Sequence, residues 1–411
     1  MYNKTMKQGW EIKKLGEVAH ISPSKSEVKT FALNPMDMVS FLPMEDLTIG
    51  RTFVHPNKQK TLSEVEGSYT YFKEGDVLLA KVTPCFENGK LAIAKGLCNN
   101  IGFGSSEYIV IRPMQHIVNS QYLIYLLQTN AFRNGGRTLM IGACGLKRLP
   151  KPYVANYELP VPSLAEQERI VEILDREFER IDALKANAEQ NLQHAKDLFQ
   201  SALKQELQPQ EGWETKTIGE ISELKGGKRV PKGYKLEIEP TGYPYIRVAD
   251  FNDNGTVDLD DIHYISEKVY EGIKRYTITT NDVYISIAGT IGKSGIIPED
   301  LNGANLTENA CRLVFKEEVD KKYIYYCTIS SDFKEQIAKL TMQAAQPKLA
   351  LTRLATATLN LPSVGTQREI VARIDILNER CKALEENYKK TIALCDDMKQ
   401  ALLRKAFNGE L

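Results

Sequence analysis

The sequence has seven cysteines but no Cys-x-x-Cys pair, and its five histidines (His20, His55, His116, His194 and His263) stand far apart. An odd, scattered set of thiols supplies neither a disulfide framework nor a zinc site and points to a reduced, cytoplasmic chain. Cys381 and Cys395 instead fall at helical spacing, where a thiol packs as a small apolar side chain. No histidine has a second ligand or a nucleophilic partner at a diagnostic interval, so no metal or cofactor is expected on this chain. Long hydrophobic runs are missing as well. The most conspicuous, Tyr122–Leu127, is far too short to cross a bilayer. Residues 1–14 are polar and hold no apolar core of signal-peptide length. Net charge is zero, with 53 basic and 53 acidic side chains in 411 residues. A balanced chain has no global field to attract polyanions, so any anion-binding surface must be local.

Catalytic motifs are missing in the same way. Asn34-Pro35-Met36-Asp37 touches the Asn-Pro-Pro-aromatic motif of amino-methyltransferases but lacks its second proline and its aromatic residue. The run from Gly289 to Ser294 ends like a phosphate-binding loop, yet Ile287 stands where the first glycine is required. The carboxylates after Pro298, with Lys316, are too loosely spaced for a nuclease site.

What the sequence does contain is a repeat. The segment beginning at Pro162, PSLAEQERIVEILDREFERIDAL, returns 200 residues later as PSVGTQREIVARIDILNERCKAL. Ten of the 23 positions are identical: Pro162, Ser163, Gln167, Ile170, Val171, Asp175, Glu179, Arg180, Ala183 and Leu184, each with its mate at +200. Each copy reads as one long helix, free of proline to Pro209 in the first and to Leu411 in the second. Ser163 with Glu166 suggests a capping box, and Asn408-Gly409 a C-cap. Apolar residues step by three or four along both copies, through Ile170, Leu174, Ile181 and Leu184 in one and Ile370, Ile374, Leu377 and Leu384 in the other. Such a stripe needs a partner helix in water, so the two are expected to pair as an antiparallel coiled coil, each helix on the order of 60 Å long.

The repeat extends beyond the helices. GWEIKKLGE at 9–17 returns as GWETKTIGE at 212–220, Gly75–Ala80 answers Asn281–Ser286, and Arg148-Leu149 answers Lys348-Leu349. The chain therefore reads as two globular α+β segments, 1–162 and 209–361, each followed by a long helix, 163–208 and 362–411. Strands are expected at Val39–Leu42, Tyr69–Phe72, Val77–Val82, Leu91–Ala94 and Tyr108–Ile111, and in the second half at Tyr245–Val248, Val283–Ala288 and Arg312–Phe315. One helix follows in each half, Ser120–Phe132 and Lys321–Leu340, capped by Asn119 and Asp320. By segment, 19 basic against 13 acidic side chains give 1–162 a charge of +6, while 19 against 22 give 209–361 a charge of −3.

Polar, glycine-punctuated loops with cations recur in both halves. Residues 225–235 carry five cations and no acid, among them Lys228, Arg229 and Lys232. Lys81, Thr83 and Lys90 follow the strand at Val77, and Thr290 and Lys293 follow its counterpart at Val283. Lys147 and Arg148 close the first half, and Gln346 and Lys348 close the second. Solvated surfaces carry these residue types too. Their doubled placement favours loops that lie on phosphates and read base edges, since Arg and Lys pair with guanine and Gln with adenine.

The doubled order of these features resembles the specificity subunit of type I restriction–modification systems. The likeness rests on the two Gly-Trp segments, the run Val39–Asp46, Lys225-Gly226-Gly227 leading to Tyr245–Asp250, and the strand–loop pairs at 75–90 and 281–295. Leu-Pro-x-Pro-Ser and Leu-Pro-Ser before the helices and the ending Leu403–Leu411 complete it. The resemblance implies two target-recognition domains reading a bipartite double-stranded DNA sequence, with paired helices acting as spacer. Those helices would dock two methyltransferase subunits, through which restriction subunits join. It also implies that S-adenosylmethionine and ATP are held by those partners. Two other readings remain open. One is a coiled-coil scaffold that binds only proteins, marked by weak, salt-insensitive DNA binding. The other is an NTPase or nuclease built on 289–294, marked by ATP turnover by the isolated chain.

Overall fold

The computed structural model describes residues 7–143, 145–341 and 348–411. Gln346 therefore lies outside the described residues. The chain divides into two compact units: residues up to Ala188 together with Lys390–Leu411, and Glu189–Lys389. Both combine β-sheets with helices, the α+β class expected.

In the first unit the strand within the Gly-Trp segment, Glu11–Lys14, pairs antiparallel with Glu158–Val161, which leads into the long helix. In the second, Glu214–Thr217 pairs with Thr358–Leu361 in the same way. Two signatures far apart in sequence are thus hydrogen-bonded neighbours, which accounts for both being repeated. Glycine allows a close approach beside these pairs. A Cβ on Gly16 would sit 3.2 Å from the Ala155 carbonyl oxygen, and one on Gly219 would sit 3.1 Å from that of Ala355.

All eight expected strands form, with bounds shifted by at most two residues. The first unit has a five-stranded sheet in the order Ala19–Ile21, Tyr108–Pro113, Val77–Ala80, Leu91–Ala94 and Phe53–Val54. A four-stranded sheet follows the order Lys58–Thr61, Met38–Leu42, Ile101–Gly104 and Thr70–Lys73. The second unit keeps the central plan, with Ala310–Phe315 between Ser222–Gly226 and Val283–Ser286. A buried aspartate fixes the turn into the central strand of each. Asp76 accepts the Lys73 amide at 2.9 Å and a bidentate Arg112 at 2.7 Å, while Asp282 accepts the Thr279 amide at 2.8 Å and Arg312 at 2.9 Å. Burial pushes the Asp76 carboxyl above its ordinary range, and Arg112 acts against that shift.

The single helix expected in each half is broken into two. Ser120–Leu127 gives way to Asn130–Leu139, and Lys321–Ile329 to Ser331–Thr341. The cause is a second cap inside each run. Thr129 Oγ1 accepts the Phe132 amide at 3.3 Å, and Ser330 Oγ accepts that of Phe333 at 3.3 Å. The outer caps fall where expected, Asn119 taking the amides of Gln121 and Tyr122, and Asp320 those of Lys322 and Tyr323.

The long helices run from Leu164 to Glu206 and from Val364 to Asn408. Within the first unit, Lys185–Asp396 (2.7 Å) and Asp182–Lys399 (2.5 Å) pair the start of one antiparallel with the end of the other. Within the second unit, Glu206–Arg373 (2.7 Å) does the converse. Each unit's core is closed by the end of the other repeat's helix. Leu403, Ala406 and Phe407 join the first core, with the Phe407 ring edge-on to Tyr122 at 5.2 Å, and Leu203 joins the second. Burying Phe407 contributes roughly 1.5–3 kcal/mol.

Three details of the expected helices change. Ile170, Leu174, Ile181, Ile370 and Ile374 are buried as expected, but Leu377 is half-buried and Leu184 and Leu384 are exposed, at 47% and 40%. The buried line runs Leu174, Ile181, Ala188, Ala195 and Ile374, Cys381, Cys395, residues seven or fourteen apart. Two helices meeting along so narrow a line, with alanine and cysteine on it, leave the flanking leucines outside. The capping box is half made: Ser163 Oγ accepts the Glu166 amide at 3.4 Å, but the Glu166 carboxylate turns to Lys7 and Arg169.

The identities at +200 have structural causes. Gln167, fully buried, accepts the Asn119 amide at 2.8 Å and donates to the Pro162 carbonyl at 2.9 Å; Gln367 does the same with Asp320 and Pro362 at the same distances. Asp175 accepts the Tyr125 hydroxyl, and Asp375 that of Tyr326. One lock thus holds each globular part to its helix.

Candidate nucleic-acid interface

In the first unit the chain leaves the central strand at Ala80 and runs beside a two-stranded ribbon, Ile141–Ala143 with Leu146–Arg148. The Leu149 amide donates to the Lys81 carbonyl at 2.7 Å, and the Thr83 amide to that of Lys147 at 2.9 Å. Leu149, buried, pins the ribbon's base, while all six ribbon residues are exposed. Gly142, at φ +144°, cannot be replaced without strain, since a Cβ would lie 2.4 Å from the Leu146 carbonyl oxygen. The loop's far side rests on the helix Asn130–Leu139, where a Cβ on Gly136 would meet the Phe86 ring at 2.5 Å.

Four of the expected residues, Lys81, Thr83, Lys147 and Arg148, are thereby brought together by the backbone stitch, and two of them, Lys81 and Arg148, meet at Glu107. The Glu107 carboxylate accepts Arg148 Nη2 at 2.8 Å and Nε at 3.0–3.1 Å, and it stands 3.9 Å from Lys81 Nζ. Lys81 also donates to the Ser106 carbonyl at 2.8 Å. Arg148 holds the Glu107 carboxyl below its usual range, and burial lowers the Lys81 ammonium. The Thr83 hydroxyl is turned to Glu87 and the Lys147 carbonyl, each at 3.3 Å. Lys90 is set apart, its ammonium donating to the Met44 carbonyl at 3.0 Å.

The second unit repeats the stitch. Ala288 bridges to Lys348, and the Leu349 amide donates to the Ile287 carbonyl at 2.8 Å. Here Thr290 and Lys293 lie on a tight turn closed by Ser286, whose hydroxyl donates to the Thr290 carbonyl and accepts the Lys293 amide at 2.9 Å. Lys293 Nζ pairs with Asp253 at 3.0 Å. The turn continues into the strand Ser294–Gly295, whereas a phosphate-binding loop must open a helix. The neighbouring cationic loop approaches from the other side. The Lys228 ammonium lies 5.6 Å from the Tyr276 ring centroid, and Arg229, largely exposed, pairs with Glu308 at 3.0 Å. Arg229, Tyr234, Tyr245, Arg247 and Asn309 line an open cleft of about 460 Å³. Lys232 is exposed on the loop rim.

Sequence reasoning missed the carboxylates, Glu107, Glu308 and Asp253, that partner these cations. The signal for the first was available in the strand register, because pairing Tyr108 with Ala80 sets Glu107 beside Lys81. Among the described residues no group of three or more His, Cys, Asp or Glu is assembled that could hold a metal ion. Among them, too, no helix is long and apolar enough to cross a membrane.

Comparison with known proteins agrees with this doubled arrangement. The EcoEI specificity subunit of Escherichia coli is 38% identical over 164 residues, which are 40% of this chain and 27% of that protein. The chain thus spans only about a quarter of that relative's length. The MjaIX specificity subunit of Methanocaldococcus jannaschii is 24% identical over an alignment of 433 residues, covering 98% of this chain and 93% of that one. A chain solved in work on complex assembly and conformational transition of the type I R-M system superposes with a TM-score of 0.84 at 20% identity, covering both chains fully. The family model of the type I restriction modification DNA specificity domain matches twice, at residues 7–194 and 210–394. With most of its length inside two such domains, the chain belongs to the type I restriction modification DNA specificity family.

Proposed function

We propose that this chain is the non-catalytic specificity subunit of a type I restriction–modification complex and that each unit reads one half of a bipartite double-stranded DNA target. The observation that carries the reading is the doubled stitch between a post-strand loop and a closing segment, at 81–83 with 147–149 and at 287–288 with 348–349. The same exit point is presented twice with different side chains, as two readers of different half-sites require. Lys81, Lys147, Lys228, Lys293 and Lys348 then meet phosphates, and Arg148, Arg229 and Gln346 suit base edges. The long helices serve as spacer and as docking surface for two methyltransferase subunits, through which restriction subunits join. Leu184 and Leu384, left outside the buried line, suit that docking role. S-adenosylmethionine and ATP belong to those partners, in a cytoplasmic complex. The test is the methylome of cells producing the methyltransferase with and without this chain. A sequence-specific bipartite methylation pattern that requires the chain supports the reading, and a pattern independent of it refutes it.

A further inference from the structure

The geometry points to Arg148 as a guanine reader and to Glu107 as the residue that gives it specificity. This rests on the DNA-reading function proposed above. An arginine presents two donor edges: a side edge, Nε with one Nη2 hydrogen, and an end edge formed by Nη1 and the other Nη2 hydrogen. Glu107 fills the side edge, with contacts of 2.8–3.1 Å. That leaves the end edge, whose two parallel donors can pair with guanine O6 and N7. The Arg148 side chain is 46% exposed and stands at the root of a ribbon whose residues are all exposed, and a two-stranded ribbon is of a width that the major groove admits.

The carboxylate does more than orient. Lys81, Arg148 and Glu107 together carry one net positive charge rather than two. A phosphate drawn to Arg148 must displace Glu107 or lie against it, whereas the neutral guanine edge meets no such opposition. Non-specific attachment through Arg148 is weakened, while the fork stays aimed at a base. Glu107 therefore acts as a positioning residue that converts a phosphate-seeking cation into a base reader. Lys147 has its side chain on the opposite face of the ribbon, since residues 146 and 148 alternate with it, and serves as the internal comparison.

The experiment uses the full chain assembled with its methyltransferase subunits. Binding to a duplex carrying the methylated target and to an unrelated duplex is measured across a salt series, alongside the methylome. Arg148→Lys keeps the charge but loses the fork. It should lower the target-to-unrelated ratio by about 10- to 100-fold and relax one guanine position in one half-site. Glu107→Gln should lower the same ratio by strengthening unrelated binding and steepening its salt dependence. Lys147→Ala should weaken both duplexes alike. If Arg148→Lys and Glu107→Gln leave the ratio and the methylated sequence unchanged while Lys147→Ala weakens binding, the assignment is overturned and the DNA-reading function stands. If all three variants bind as the parent does, the DNA-reading function of this surface falls with it. Should Glu107→Gln fold poorly in a urea titration, Arg148→Lys alone decides the matter.

Discussion

Gln167→Ala tests the lock that ties the first globular part to its helix. The side chain is fully buried and makes three hydrogen bonds, accepting the Asn119 amide at 2.8 Å and donating to the carbonyls of Ile117 and Pro162 at 2.9 Å each. Truncation leaves one amide and two carbonyls without that partner, the Pro162 carbonyl buried and the other two groups part-buried. Each buried group left unpaired costs about 1–3 kcal/mol, carbonyls being the more tolerant, so the loss should be about 3–5 kcal/mol. Asn119 also caps the helix Ser120–Leu127, so the damage spreads to that helix start. Gln367→Ala removes two such bonds, to Asp320 and Pro362, and should cost the second unit about 2–3 kcal/mol. The chain's two tryptophans separate the effects, because Trp10 packs on the first core and Trp213 on the second. In a Trp213→Phe background, fluorescence during urea unfolding follows the first unit. Gln167→Ala should shift that transition by the full amount. A shift below about 1 kcal/mol would refute the lock and leave the repeated glutamine unexplained.

The same structure sets further expectations. Lys228→Ala and Lys293→Ala should each weaken binding to target and unrelated DNA alike, lowering the salt slope by about one unit per lost phosphate contact; unchanged slopes would move the binding surface elsewhere. Inserting four residues after Lys204 adds roughly 6 Å of helix and close to one full turn, and should lengthen the unread gap in the methylated sequence by about one or two base pairs. One inserted residue rotates the second globular part by about 100° about the helix axis and should abolish activity, whereas an unchanged gap with the longer insertion would exclude this helix as the spacer. The Glu166 carboxyl is held down to about 2 by Arg169, with Lys7 assisting. A depressed carboxyl stabilises the fold above its unfolded value near 4.5 and loses that contribution as pH falls toward 2. The stability difference between parent and Glu166→Gln should therefore be constant above about pH 5 and shrink below it, staying under about 1 kcal/mol because the pair is solvent-screened. A difference that grows on acidification would contradict this.

The repeat and the two long helices were legible because the helices admit no insertion, and the +200 register carries Gln167, Asp175 and their mates into identical locks. The strands were legible from β-branched runs, and the outer caps from Asn119 and Asp320. The inner caps at Thr129 and Ser330 were not, since both lie in runs whose apolar spacing continues without a break. Leu184 and Leu384 have the spacing of seam residues. Only the narrowness of the helix contact, with Ala188, Ala195, Cys381 and Cys395 on the buried line, puts them outside. The cations at the candidate interface were found by type and position. Their carboxylate partners were not, because Glu107–Arg148, Glu308–Arg229 and Asp253–Lys293 are joined by strand register and loop path over 40 to 79 residues of chain.

The most direct measurement of the central claim is a methylome after exchange of one reader. Residues 9–160 are replaced by the equivalent segment of a relative that directs methylation of a different sequence, leaving the second unit and both long helices intact. Independent reading by two units predicts that one half of the bipartite sequence changes to the relative's and the other half stays as it was. A change in both halves, or in neither, would contradict it.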